Sequence, residues 1–400
     1  MNYSELVHRI GGGGVEAWTI HFEAMAAAAR GEDIIVLSVG DPEFAPPQAI
    51  TEAAVDALRG GDTHYTTIAG RPALRQRIAR QHSRQSGQPV AADNVIVVSG
   101  AQNGLFCASL CLCGPGDEVL VPEPLYLTYE ATIRVSGATL VPVPVHADNS
   151  FRIDLDALEK AITARTRALF FATPCNPSGV VMNRDELRRI AALACRHDLW
   201  VVADEVYGAL TFEAEHISIA SLDGMAARTA TVSSLSKSHA MAGLRIGWVV
   251  APTELIRHMD KLLICMLYGA PGAIQQAACL ALDQFDSVTG AIRATYRRRR
   301  DLVHALLADV PGLRCPKPEA GMFLLLDIRS TGLSSSDFAW GLFRQTGVSV
   351  LDAQAFGPSA RGFVRMGLVV DEPRLLEACR RIASYADTLV RTQGATPNPG

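Results

Sequence analysis

Along the first two thirds of the chain, short apolar runs alternate with longer stretches whose apolar residues recur at helical spacing. This grammar predicts βα units and a mainly parallel sheet. Residues 94–100, NVIVVSG, form one such run and lead into a stretch that places Leu105, Ala108 and Leu112 on one helical face. Residues 167–179 (RALFFATPCNPSG), 198–208 (DLWVVADEVYG) and 228–237 (RTATVSSLSK) complete a set of four predicted strands, each delivering polar residues at its end. Ligands of open α/β sheets bind beyond the carboxyl ends of the strands, so chemistry is expected where these four ends meet. From about residue 279 the pattern changes. A long helix carrying YRRRRDLV precedes the apolar runs GMFLLLDI, VSVLDA and GFVRMGLVV, which suit a smaller α+β unit.

At 400 residues, 48% of them hydrophobic, the chain can bury the cores of two domains, one large and one small. A net charge of -4 with 20% charged residues gives no basic surplus of the kind that nucleic acid or an anionic membrane calls for, and small molecules are the expected partners. Arg297 to Arg300 occupy successive helical positions that spread around the axis, and they read as a solvated face. No segment has the uninterrupted apolar length of a membrane span. The N-terminal MNYSELVHRIGGGGVEAW has neither signal-peptide nor transit-peptide character, so a cytoplasmic location is expected. Nine cysteines without a C-x-x-C pair or a nearby histidine set read as reduced, mostly packed thiols, and no metal site is expected. Gly11 to Gly14 lack both a preceding strand and a following Gly-Lys-Ser/Thr, so they read as a flexible arm and not as a phosphate loop.

The strand ends carry a coherent set of groups. Ser99-Gly100-Ala101-Gln102 closes a strand and opens a helix, which leaves backbone N–H groups and the positive end of a helix dipole facing outward. Ser234 adds a hydroxyl and Arg245 a planar cationic fork, and together these could hold a phosphate. Asp204 follows the apolar run LWVVA at the tip of a buried strand, where a carboxylate needs a cationic or N–H partner unless it caps a following helix. Tyr207 can present its phenol to the same space, and Asn176 its amide. Lys237, on a loop of small residues, is placed to become a desolvated amine able to form a Schiff base with an aldehyde. A phosphate cradle, an aspartate for a ring nitrogen, a phenol and an amide for a ring hydroxyl and a reactive lysine describe a site for pyridoxal 5′-phosphate.

In these motifs the sequence resembles the class I/II aminotransferases of the fold type I pyridoxal-phosphate enzymes. LSVGDPEF, THYTTIAG, GAQNGLF, PGDEVLVPEPLYLTYE, PCNPSG, ADEVYG, SLSKSHAMAGLRIGW and FVRMGL stand in the family's order and spacing, from about residue 30 to 388. The resemblance implies an α/β fold in which a large domain carries a mainly parallel seven-stranded sheet between helices, beside a smaller α+β domain. Its bounds would be 1–47 for an N-terminal arm and part of the small domain, 48–278 for the large domain, 279–390 for the small C-terminal domain and 391–400 for a disordered tail. It implies that Lys237 is the Schiff-base lysine, that Asp204 pairs with the pyridine nitrogen, and that Tyr207 and Asn176 bind the ring hydroxyl. Ala101, Gln102, Ser234 and Arg245 would hold the phosphate, and Tyr126 would stack on the ring. Tyr65 would reach the phosphate of a neighbouring subunit, which implies a homodimer with shared active sites. Arg365, assisted by the Gly40 N–H and by Asn176, would bind the substrate carboxylate.

The activity so implied is a ping-pong transfer of an amino group from an L-amino acid to a 2-oxo acid. SLSKSHAM, CMLYG, YRRRRDLV, FGPSA and EACRRIA most resemble arginine–pyruvate transaminases, and a guanidinium side chain would call for an acidic partner, for which Glu43, Glu123 and Asp352 are all open. Two alternatives use the same cofactor: a C–S lyase or other β-eliminating enzyme, which shares nearly every residue named, and a pyridoxal-phosphate-sensing regulator. The regulator calls for a basic N-terminal DNA-binding region, and few basic groups precede the first matched motif.

Overall fold

The computed structural model describes residues 1–10 and 17–394. The glycine run at 11–14 and residues 395–400 of the expected tail lie outside the described residues. The four predicted strands form as β2 (Val95–Val98), β5 (Thr166–Ala172), β6 (Trp200–Asp204) and β7 (Thr229–Ser234). They are joined by β3 (Glu118–Glu123), β4 (Thr139–Pro144) and β8 (Gly247–Val250) in a seven-stranded sheet of order β2-β8-β7-β6-β5-β3-β4. β8 runs antiparallel to both of its neighbours, and the other pairings are parallel. The sheet is thus mixed but mainly parallel.

Strand alternation divides the sheet between two helical layers. Val98, Val121, Phe170, Val202 and Val232 share one core with Leu105 and Ala108 of helix 101–112 and with Leu255 and Met259 of helix 253–266. On the opposite face, Val97 and Trp248 pack with residues of helices 48–59, 72–86 and 272–283, while Leu120, Leu169 and Val201 pack with helix 184–196. Helix 101–112 lies close to the strands because Gly104 faces them: a Cβ there would sit 2.9 Å from Val249 and 3.1 Å from Val232.

The C-terminal part has its own core. β9 (Phe323–Asp327) and β11 (Leu351–Asp352) flank β12 (Phe363–Gly367) in an antiparallel sheet. β1 (Ile35–Val36) pairs in parallel with β10 (Val348–Ser349), which brings the segment just before Gly40 into this core beside helices 19–29, 285–307 and 335–346. Helix 372–394 continues to Gly394, so residues 391–394 of the expected disordered tail are helical.

The arginine run is a correction to the sequence reading. Arg299 and Arg300 are each 3% exposed, while Arg297 and Arg298 face solvent. Four consecutive positions cover the whole circumference of a helix, so a pair of them must face inward. Arg299 pairs with Glu43, donates to the Leu368 carbonyl at 2.9 Å and stacks over Phe44. Arg300 grips Glu213 through both Nη atoms at 2.6 and 2.8 Å. These contacts tie helix 285–307 to the loops after Gly40 and after β6. All nine cysteines are free thiols, and Cys107 is packed against the sheet. Among the described residues no helix is long and apolar enough to cross a membrane.

Candidate active site

The carboxyl ends of β5, β6 and β7 open onto a cavity of about 160 Å³. Ala101 and Gln102 reach it from the first turn of helix 101–112, and Tyr126 and Asn176 from the loops after β3 and β5. Asp204 enters from the tip of β6 with Tyr207 just beyond it, and Ser234, Lys237 and Arg245 come from β7 and the loop joining it to β8. Nine predicted residues therefore share one space. Gly40 adjoins it because its carbonyl accepts from Lys237 Nζ, and Arg365 does so by donating to Asn176 Oδ1 at 3.0 Å.

One end of the cavity is built for an anion. By position, the N–H groups of Ala101 and Gln102 have no helical acceptor. Arg245, itself in the left-handed region at φ 53°, donates to the Ala242 carbonyl at 2.9 Å and the Ser99 carbonyl at 3.1 Å, which lays its guanidinium against Gly100. A Cβ on Gly100 would collide with that guanidinium, and the residue's φ of 81° independently favours glycine. Gly247 is equally constrained, since a Cβ there would sit 2.9 Å from Ala101 N. The two glycines let a cation, a helix start and the Ser234 hydroxyl converge, as a phosphate dianion requires. Gln102 contributes through its backbone, because its side chain is held by Thr128 at 2.6 Å and Thr132 at 2.7 Å.

The middle of the cavity holds two displaced titrations. Asp204 is 6% exposed, accepts from the Tyr129 hydroxyl at 2.7 Å and the Val206 N–H at 3.2 Å, and forms no ion pair among the described residues. Burial pushes its carboxyl up to about 6 despite those two hydrogen bonds. A protonated ring nitrogen is the partner this site lacks. Burial likewise lowers Lys237 to about 8, with Asp41 opposing the shift and Arg365 and Arg245 adding to it. Of four lysines in the chain, Lys160, Lys261 and Lys317 are exposed, so Lys237 is the one placed to act as a free amine. Tyr207 is buried edge-on against Phe323 at 5.2 Å, and burial raises its phenol well above the usual range. The residues fit pyridoxal phosphate at its aldehyde, ring nitrogen, ring hydroxyl and phosphate.

At the other end lies Arg365, 2% exposed in the middle of β12 between the rings of Phe356 and Phe323, at 5.0 and 5.6 Å. Its Nη atoms reach Asn176 and the Ser38 carbonyl, each at 3.0 Å, while its buried Nε has no hydrogen-bond partner. No carboxylate among the described residues pairs with it, and burial lowers its proton affinity. An uncompensated buried guanidinium calls for an anionic ligand. Since the Asn176 oxygen is committed to Arg365, its NH2 is the end left to donate to a ligand. Tyr65 stands apart: it is 83% exposed and lies against Tyr268, ring centroids 4.7 Å apart.

Tyr129 is the site residue that sequence reasoning missed. It follows Tyr126 by three positions at the start of helix 129–134, and the one signal for it is the need of a buried Asp204 for a donor. Of the three acids considered for a guanidinium substrate, Glu43 is held by Arg299, and Asp352 accepts from the Gln354 N–H at 2.9 Å. Glu123 accepts from the Ser359 N–H and hydroxyl at 2.9 and 2.8 Å, and it borders a smaller cavity that shares Tyr126, Tyr129 and Asn176 with the first.

Comparison with known proteins gives one answer at three levels. The family model described as aminotransferase class I and II matches residues 32–382. The chain is 52% identical over 390 residues to the arginine–pyruvate transaminase AruH of Pseudomonas aeruginosa, covering 98% of this chain and 99% of that protein. It is 37% identical over 361 residues to an aspartate aminotransferase of Pyrococcus abyssi, covering 89% of this chain and 92% of that one. In three dimensions it matches the aspartate aminotransferase of Thermus thermophilus solved with maleate, with a TM-score of 0.91, 31% identity and coverage of 96% of this chain and 100% of that one.

The Asp204 titration makes a prediction for the cofactor-free protein. A carboxyl that keeps its proton to about 6 in the fold, against an ordinary 3.8, makes stability fall as pH rises between those values. Above that window the cost is about 3 kcal/mol. In urea denaturation of the cofactor-free protein, Asp204→Asn should therefore be more stable than wild type at pH 7.5 and should lose this advantage below pH 4. A difference between the two that does not change with pH would contradict the assignment.

Proposed function

The chain belongs to the class I and II aminotransferases, and on that basis we propose that it moves the amino group of arginine or another basic L-amino acid to pyruvate or a similar 2-oxo acid. The cofactor of the family is pyridoxal 5′-phosphate. The observation that carries the assignment of roles is the arrangement of buried Asp204, half-buried Lys237 and buried Arg365, none of them in an ion pair among the described residues, around one cavity. The choice of arginine and pyruvate rests on the 52% identity to a protein of that name. None of the relatives described above is named as a lyase, and no contact at the site favours elimination.

When bound, the cofactor supplies an aldehyde that captures amino groups and a ring that accepts the electrons of a deprotonated Cα. In this reading Arg365 and the Gly40 N–H hold the substrate carboxylate, which fixes the Cα beside Lys237. Lys237 Nζ, with its proton affinity lowered, takes the Cα proton as base and returns a proton as acid. Asp204 holds a proton on the ring nitrogen, supported from behind by the Tyr129 hydroxyl. Tyr207 and the Asn176 NH2 orient the ring hydroxyl, and Tyr126 covers one ring face. Ala101, Gln102, Ser234 and Arg245 neutralise the phosphate. The amino acid leaves as a 2-oxo acid before the second 2-oxo acid binds.

The proposal includes a cytoplasmic homodimer in which Tyr65 serves the partner's site. Its exposure supports this, as does its position beside Tyr268 and outside the lining of the cavity of its own chain.

Incubated with arginine and pyruvate, the holoenzyme should form alanine and the arginine-derived 2-oxo acid in equal amounts, and Lys237→Ala should lower the rate by about 10²–10⁴-fold or more. Near-wild-type turnover in that variant, or ammonia release from the donor without any acceptor, would contradict the reading. A hybrid dimer of one Lys237→Ala and one Tyr65→Ala subunit should keep about half of the wild-type rate, because one of its two shared sites is intact. A hybrid whose working site shows the defect of the Tyr65→Ala homodimer would contradict the sharing of sites.

A further inference from the structure

The second partner of Arg365, the Ser38 carbonyl, belongs to a segment with unusual support. The backbone following β1 is fixed as far as Leu37, whose N–H donates to the Ser349 carbonyl at 2.9 Å and whose own carbonyl accepts from the Gly367 N–H at 2.7 Å. Fully buried Ser38 is then held by its side chain. Its hydroxyl lies 3.1 Å from Ser349 Oγ of β10 and 3.1 Å from His21 Nδ1 on helix 19–29.

We propose that His21 is a positioning residue for carboxylate binding, acting through Ser38 on the carbonyl that orients the Arg365 guanidinium. The proposal rests on reading Arg365 as the substrate-carboxylate group. A guanidinium with two fixed acceptors keeps its plane, whereas one that loses the Ser38 carbonyl is held only by Asn176 and its aromatic neighbours. His21 faces Trp18 and Phe22 of its own segment, each with its ring 5.8 Å away, Ser38 after β1, and Arg365 of β12. Arg365 is the charged group among these, and it adds to the effect of burial in lowering the imidazole below its ordinary 6.5. His21 is accordingly neutral at neutral pH. A carboxylate bound at Arg365 offsets that like charge, so anion binding and protonation of His21 favour each other, and affinity rises as pH falls.

The test is the dissociation constant of propionate, an unreactive carboxylate, for the holoenzyme between pH 5.5 and 8, together with KM for pyruvate. At pH 8, His21→Ala should weaken propionate binding about three- to tenfold and raise KM more than it lowers kcat. His21→Asn, which can still hydrogen-bond Ser38, should restore affinity to within about twofold. Relative to wild type, both variants should lack part of the tightening at low pH. Wild-type affinity in His21→Ala, no rescue by His21→Asn, or an unchanged pH slope in both would each overturn the proposal. Arg365→Lys separates the two levels: if it binds propionate as wild type does, the reading of Arg365 itself has failed, and if it binds weakly while the His21 variants match wild type, only the present inference has.

Discussion

A buried carboxylate, a half-buried amine and a buried guanidinium around one cavity, none of them in an ion pair among the described residues, set the terms for the rest of this protein. Removing charges from water is expensive, and a fold carries such groups only when something outside the chain completes them. The shifts of Asp204 and Lys237 both point towards their neutral forms, which is the direction burial dictates when no counter-ion is present. A ligand that brings a ring cation, an aldehyde and a phosphate at one end and a carboxylate at the other satisfies all three residues at once.

The architecture follows from holding these groups still. Parallel register sets Ala172 beside Asp204 and Asp204 beside Val232, two residues before Ser234, so three neighbouring strands end together, and the glycines at 100 and 247 let Arg245 and the start of helix 101–112 approach within contact distance. Arg365 comes from the other core, and it reaches the site because β12 lies between β9 and β11 while β1 pairs with β10 beside it. The buried arginines of helix 285–307 serve the same end. By pinning Glu43 and Glu213, they fix the loops that follow Gly40 and Asp204.

Local pattern made much of this legible. β2, β5 and β6 were readable because buried strands appear as apolar runs such as VIVV, ALFFA and WVVA, β7 was readable from its β-branched and small residues TATV, and the polar residues that follow each run marked the cavity. The roles of Tyr126, Tyr65 and Gly40 came from the family resemblance, since nothing in the spacing alone assigns them. Tyr129, Ser38 and His21 were not legible, because their importance lies in partners 75, 327 and 17 residues away along the chain, and only the fold creates such pairings. β4 escaped notice for another reason: its sequence TLVPVP carries two prolines and is partly exposed, as befits an edge strand. Arg299 and Arg300 misled because charge suggests solvent, whereas helical geometry turns some of any four consecutive residues inward.

The central claim is that Lys237 bonds directly to the cofactor, and reduction of the holoprotein with borohydride tests it without depending on any substrate. Digestion and mass mapping should find the pyridoxyl group on Lys237 alone. Its recovery on Lys160, Lys261 or Lys317, or its absence from every lysine, would contradict the account.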